Sequence, residues 1–233
     1  MNEEKLSARL AKVAEYVVEG DRIADIGSDH AYLPAWLWLN KNITSAIAGE
    51  VVQGPFEAAQ GLVSALGLSA HISVRLGNGL EVINKKDDVS AITIAGMGGS
   101  LISQILQRGF EQEILTGRER LILQPNIGEK TLRKWLVAHA YHIIAEDILT
   151  EDGKFYEIIV AEKATEAPEY SQRELTFGPF LLLARGTDFV AKWQSELVQR
   201  GYVLQQLEKA KSLQQAKIAE VTQEIAEIKE VIG

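Results

Sequence analysis

Between residues 22 and 163 the chain repeats one pattern. Short β-branched runs alternate with stretches of helical length, the runs being "RIADIG", "ITSAIAGE", "HISVRLG", "VSAITIAG", "ERLILQPN", "YHIIAEDILT" and "FYEIIVAEK", with the helical stretches among the first five. Several runs are almost wholly apolar, which suits strands buried on both faces. Amphipathic stretches at 53–66, 98–109 and 128–138 lie among them. Strand–helix alternation of this kind predicts an α/β domain with a parallel sheet covered by helices on both sides. The last two runs are separated by "EDGK", a turn signal, so they are expected to close the sheet as an antiparallel hairpin. Residues 4–18 carry Leu6, Leu10, Val13, Ala14 and Val17 at helical spacing and read as a leading helix.

After residue 163 the texture changes. "ATEAPEY" reads as a linker, and from about 188 the chain is rich in Gln, Glu, Lys, Ala and Leu. Leu204, Leu207, Ile218, Val221, Ile225, Ile228 and Ile232 recur at spacings of three and four, the seam of a coiled-coil-like helical region. Lys211 and Gln214 interrupt that seam, and Ser212 followed by Gln215 has the form of a capping box. A two-helix hairpin is favoured over one rod. The expected domains are thus 1–163 and 164–233.

Composition narrows the chemistry. The 233 residues contain no cysteine, which excludes disulfides, thiolate metal sites and cysteine nucleophiles and agrees with a cytoplasmic location. His30, His71, His139 and His142 are not at ligand spacing, so no metal is expected. No apolar run is long enough for a membrane span, and the N-terminus has no signal-peptide pattern. A net charge of −8 argues against broad nucleic-acid affinity while leaving room for a local basic patch.

In a parallel sheet, ligands bind at the carboxyl ends of the strands where strand order reverses. The first strand ends in "ADIGSDH". Gly27 permits a tight turn and close ligand approach. Where dinucleotide-binding loops have more glycine, this loop has Ser28, Asp29 and His30, with Asp25 just before. Two carboxylates suit a cationic ligand bearing an ammonium group rather than a pyrophosphate, which points to S-adenosyl-L-methionine. The second strand ends in Glu50, placed to accept from both ribose hydroxyls. The third ends in "RLGNGL", where Asn78 is suited to an adenine amine. The fourth ends in "IAGMGG", where Gly96, Gly98 and Gly99 let the chain pass under a ligand and Met97 packs on adenine. Each feature alone is an ordinary turn or a solvated side chain; their order on four successive strand ends carries the reading.

These blocks, together with "LSARLAKVAEYV", "AIAGEVVQGPFEAA" and "EDGKFYEI", resemble the bacterial tRNA (adenine22-N1)-methyltransferases over essentially the whole chain. The resemblance implies a Rossmann-like class I methyltransferase sheet with a C-terminal helical domain. It implies methyl transfer from S-adenosyl-L-methionine to N1 of an adenine in the D-arm of tRNA. It places Asp25, Gly27, Ser28, Asp29 and His30 in the cofactor loop and Glu50 and Val51 at the ribose. Asn78 and Gly79 fall on the adenine side, and Gly96, Met97 and Gly98 at the fourth strand's exit. Asn78 stands where the family is expected to carry aspartate; its carbonyl still accepts a hydrogen bond.

Adenine N1 has an in-plane lone pair, so positioning is the main requirement. The fourth-strand loop lacks the Asn/Asp-Pro-Pro-aromatic pattern of exocyclic-amine methylation. Asp29, Tyr32, Gln124 and Asn126 are the candidates to orient the base, with Asp29 and Tyr32 assigned as catalytic. Asp29 is placed to accept from the adenine amine. Tyr32 either meets the base or packs in the first helix. The basic residues of the tail, Arg173, Arg185, Lys192, Arg200, Lys209, Lys211 and Lys217, either contact tRNA phosphates or form solvated helix faces. The rival functions are a non-catalytic S-adenosyl-L-methionine-binding protein with a coiled-coil interaction module, and a small-molecule methyltransferase.

Overall fold

The structure is a computed structural model and describes residues 4–209 and 215–233. The chain divides into two compact units, Met1–Pro179 and Phe180–Gly233.

In the first unit the alternation becomes α1 (Ala8–Glu15), β1 (Arg22–Ile26), α2 (Tyr32–Lys41), β2 (Ser45–Glu50), α3 (Gln53–Ala65) and β3 (Ile72–Leu76), followed by two short 3-10 turns. Then come β4 (Ala91–Gly98), α4 (Gly99–Glu111), β5 (Arg120–Ile127), α5 (Glu129–Ala138), β6 (Tyr141–Glu151), β7 (Lys154–Lys163) and α6 (Gln172–Phe177). All seven expected strands form, in one sheet of order β3-β2-β1-β4-β5-β7-β6. β1, β2, β3, β4 and β5 pair in parallel, whereas β7 is antiparallel to both β5 and β6. The "EDGK" turn closes the hairpin with Asp152 and Gly153 both at positive φ, as a two-residue hairpin loop requires.

The central strands β1, β2, β4 and β5 are largely apolar because both faces are buried, whereas β3 and β6 at the sheet edges are more exposed. Ile23, Ala46, Ile122 and Val160 meet α1, α2 and α3 through Val13, Leu37 and Val63. Their chain neighbours Ala24, Ile47, Leu121 and Ala161 meet α4 and α5 through Ile102, Leu106 and Leu136. Alternate residues of each strand therefore serve different layers.

α1 is shorter than the expected 4–18. Ser7 caps it by accepting from the Leu10 amide. Leu6 and Val17, outside its ends, are nevertheless buried as the pattern requires. The first unit also runs past residue 163. Its end is held by a buried ionic cluster in which Arg133 of α5 donates to Glu146 at 2.7 Å and to Glu157. The backbone oxygens of Leu175 and Thr176 accept from the same guanidinium. Gly178 follows α6 at φ 87°, and a Cβ there would sit 2.6 Å from Glu146 Oε2.

The second unit contains α8 (Thr187–Lys209) and α9 (Gln215–Ile232), preceded by α7 (Pro179–Ala184), which opens at the unit boundary. α8 and α9 pack on one another, with Arg200 donating to Glu224 at 3.0 Å, so this region is a helix pair rather than a rod. Val221, Ile228 and Val231 are the buried positions of α9, so Val231 takes the place expected for Ile232. Ser212, Lys211 and Gln214, on which the expected helix break rests, lie outside the described residues.

Candidate active site

Strand order reverses at β1, which lies between β2 and β4. The loop after β1 has an unusual backbone: Gly27, Asp29, His30 and Ala31 all adopt positive φ, at 72°, 44°, 68° and 60°. Each non-glycine residue there costs about 1–3 kcal/mol and persists only where its surroundings enforce it. The enforcement is visible. The amides of Gly27 and Ser28 both donate to Gly49 O, at 2.9 and 3.2 Å. The Asp29 amide donates to Glu50 Oε1 at 2.6 Å. Asp25 is buried and accepts from the hydroxyls of Ser28 and Thr93, each at 2.6 Å. Gly27 sits at φ 72°, where any other side chain would be strained, and a Cβ there would also push Met97 Cε, 2.3 Å away, aside.

The side chains of Asp25 and Ser28 are thus committed to each other and to Thr93. They hold the loop's shape. Burial pushes the Asp25 carboxyl above the ordinary carboxylate range, against the two hydroxyl hydrogen bonds and the Arg9 charge that favour ionisation. Asp29 is different: its side chain is 72% exposed, and its carboxylate lies 3.6 Å from His30 Nε2. The His30 ring stacks on Tyr32, with centroids 5.5 Å apart. Tyr32 opens α2 and is half-buried against the core, so its ring combines packing with access to the loop.

Beside the loop is a cleft of about 120 Å³. Gly27, Val51, Asn78, Gly79 and Met97 line it together, as their positions on successive strand ends predict. Leu101, Ile105 and Arg108 of α4 also line it, and sequence reasoning missed them. Their spacing of three and four was a legible signal, because it carries one face of α4 along the cleft. The Asn78 carbonyl accepts from Arg108 Nη2 at 3.2 Å. Glu50, Asp29, His30, Gly96 and Gly98 are not among the cleft's lining residues. Glu50 joins the cleft to the loop, and burial, followed by the neighbouring Asp25 and Asp29 charges, raises its carboxyl above the usual value although the Asp29 amide opposes this.

On the other side of β4, at the ends of β4 and β5, lies a polar network. Gln124, fully buried, accepts from Arg9 Nη1 at 2.6 Å and from the Gly96 amide at 2.9 Å. Its amide nitrogen donates to Pro125 O at 2.8 Å and to Asn126 Oδ1 at 3.2 Å. Asn126 donates in turn to Gly96 O at 2.8 Å. Arg9 was not anticipated. It belongs to α1, whose first amides are held by Glu151 at the hairpin tip, and its guanidinium lies 5.6 Å from the Tyr156 ring centroid. That contact spans over a hundred residues, so no local pattern announces it.

Among the described residues, no group of three or more His, Asp or Glu is placed to hold a metal, and no helix is long and apolar enough to cross a membrane.

A family model described as tRNA (adenine(22)-N(1))-methyltransferase matches residues 23–230. The chain belongs to this family. It is 48% identical over 238 aligned residues to the tRNA (adenine(22)-N(1))-methyltransferase of Bacillus subtilis, covering 100% of this chain and 99% of that protein. The crystal structure of the B. subtilis m1A22 tRNA methyltransferase TrmK superposes with a TM-score of 0.91 at 46% identity, over 99% of this chain and 100% of that one. A Streptococcus pneumoniae protein solved in complex with S-adenosyl-L-methionine superposes with a TM-score of 0.89 at 45% identity, over 98% and 100%. For a tRNA (adenine(22)-N(1))-methyltransferase, the locked loop and the adjoining cleft lie at the point of strand reversal, where open α/β sheets bind ligands.

Proposed function

We propose that this chain transfers a methyl group from S-adenosyl-L-methionine to N1 of adenine 22 in the D-arm of tRNA. The observation that carries this reading is the full-length kinship with the B. subtilis enzyme.

When bound, S-adenosyl-L-methionine supplies an electrophilic methyl on a sulfonium. The residues present fit it. The Gly27, Ser28 and Asp29 amides are spent on Gly49 O and Glu50, so the exposed Asp29 carboxylate is the group offered to its amino-acid end. Glu50 has one oxygen on the Asp29 amide and offers the other to the ribose hydroxyls. Val51, Met97, Leu101 and Ile105 form apolar walls for the adenine, and Asn78 with Arg108 gives its polar edge.

The substrate base needs no deprotonation, since N1 already presents a lone pair. The protein's task is to hold that lone pair in line with the methyl–sulfur bond. Methylation at N1 leaves the ring cationic, and the exposed Asp29 carboxylate is suited to meet that charge. Tyr32, beside His30, is suited to stack on the base. N1 lies on the Watson–Crick edge, so a paired target is flipped out at a cost of a few kcal/mol.

The second unit, as a coiled-coil-like helix pair, is assigned to gripping tRNA, and the enzyme to the cytoplasm. Arg200 and Lys217 pair with Glu196, Glu224 and Glu220, which makes them poor phosphate ligands. Transfer of labelled methyl to tRNA followed by nucleoside analysis tests the reading. The expected product is 1-methyladenosine at position 22; N6-methyladenosine, or no incorporation, would overturn it.

A further inference from the structure

We propose that Asn126 grips the N6/N7 edge of the target adenine, and that Arg9, acting through Gln124, sets which end of the Asn126 amide faces the base. This rests on the tRNA-adenine reading above.

The argument starts from hydrogen-bond capacity. An amide side chain has two oxygen lone pairs and two N–H donors. In Gln124 all four are used inside the protein: by Arg9, the Gly96 amide, Pro125 O and Asn126. Gln124 therefore has nothing to offer a base. Its orientation is also dictated. Its oxygen faces a guanidinium and a backbone N–H, and neither accepts, so its opposite end must donate. That donor faces Asn126, which must then present Oδ1 to Gln124 and Nδ2 to Gly96 O. The polarity of the chain is set by Arg9 together with the Gly96 backbone and transmitted amide to amide.

Asn126 retains one lone pair and one N–H, and it is exposed at the carboxyl end of β5. One acceptor and one donor on a single amide complement adenine's N6 amine and N7. This grip has a consequence for the reaction: it leaves N1 uncovered, whereas a contact on the Watson–Crick edge would compete with the methyl for it. It also rejects guanine, whose O6 would face the Asn126 oxygen. The anchor is suitably placed, since Asn126 hangs from Gly96 O, one residue from Met97 in the cofactor cleft wall. Asn126 is thus a base-contacting residue, and Gln124 and Arg9 are positioning residues.

The test uses the full-length enzyme and tRNA transcripts carrying adenine or 7-deazaadenine at position 22; the analogue keeps N1 and N6 and lacks the N7 acceptor. For the wild type, 7-deazaadenine is expected to lower kcat/KM by at least about fivefold. Asn126→Ala should fall similarly on adenine and lose nothing more on the analogue, with unchanged S-adenosyl-L-methionine affinity. Asn126→Asp keeps the acceptor for N6 but has no N–H for N7, so it should treat both substrates alike. Gln124→Glu still accepts from Arg9 and Gly96 but donates nothing to Asn126, and should blunt the same N7 sensitivity. Additive losses in Asn126→Ala, persistent N7 sensitivity in Asn126→Asp, or a wild type indifferent to 7-deazaadenine would each overturn the proposal. A wild-type enzyme that fails to methylate adenine 22 at all would instead overturn the functional reading, and this inference with it.

Discussion

Glu50 joins the loop to the cleft, and two measurements follow from its position. Glu50→Ala is expected to weaken S-adenosyl-L-methionine binding by about 1.5–3 kcal/mol, the worth of hydrogen bonds to a charged group; unchanged affinity by calorimetry would remove Glu50 from the site. Its raised carboxyl gives a pH signature. A carboxyl that holds its proton more tightly in the folded chain contributes stability below its unfolded pKa, and that stability is lost as pH rises through the folded value. Cofactor binding has the opposite sign, because ribose hydroxyls donate to the ionised form. Affinity should therefore decline as pH falls, starting above the ordinary glutamate value of 4.5, and Glu50→Gln should flatten that decline. Asp29 makes the complementary prediction. Asp29→Asn keeps size and removes charge, and single-turnover methylation should slow at least about tenfold, roughly 1.4 kcal/mol of barrier. Parallel loss of cofactor affinity would assign the carboxylate to the cofactor; a rate effect alone would assign it to the base. An unaltered rate would reduce Asp29 to a turn residue. At this scale the sequence showed which residue types stand at each strand end. It did not show that the Asp25 carboxylate is taken up on both oxygens, because one of its partners is Thr93 from β4.

Among the elements, β-strands were the most legible and the short helices the least. A strand buried on both faces must be apolar at nearly every position, so its signal survives without context. α6 has six residues and no such signature beyond its Ser171–Glu174 capping box. What holds it is Arg133, which reaches its final carbonyls while neutralising Glu146 and Glu157 from the hairpin. Arg133 sits on the face of α5 that an amphipathic reading would call apolar, and it is fully buried. Burial alone would disfavour its charge, but the two carboxylates outweigh this and raise its pKa. Arg133→Met removes the buried cation that Glu146 and Glu157 share and is expected to cost about 3–5 kcal/mol in denaturant unfolding. A midpoint close to wild type would mean that the cluster is dispensable to stability.

For the whole molecule, the decisive comparison is between two truncations. A chain ending at Pro179 keeps α6, Tyr170 and Phe177, and it should fold, bind S-adenosyl-L-methionine with near-native affinity and methylate tRNA poorly. A chain ending at Glu166 loses Tyr170, whose hydroxyl accepts from the Ile143 amide, and the buried Leu175 and Phe177. It should melt at a lower temperature or fail to fold. Native tRNA methylation by the Pro179 truncation would deny the helix pair any substrate role. Equal stability of the two truncations would restore a boundary near residue 163.

The sequence by itself determined the α/β class, the seven strands, the closing hairpin and the identity of the loop, because these depend on local periodicity and on residues a few positions apart. It also pointed to Gly27, Val51, Asn78, Gly79 and Met97, which line one cleft, since parallel strands bring their carboxyl ends to one edge by necessity. Tertiary structure decided what only long-range contact can: the extent of the first unit, the left-handed run through Asp29, His30 and Ala31, the role of Arg108 in the cleft, and the Arg9–Gln124–Asn126 network. In each case the determining partner lies on another element. A hydrogen bond is specified by geometry at about 3 Å, and sequence spacing carries no information about that distance once the chain has folded back on itself.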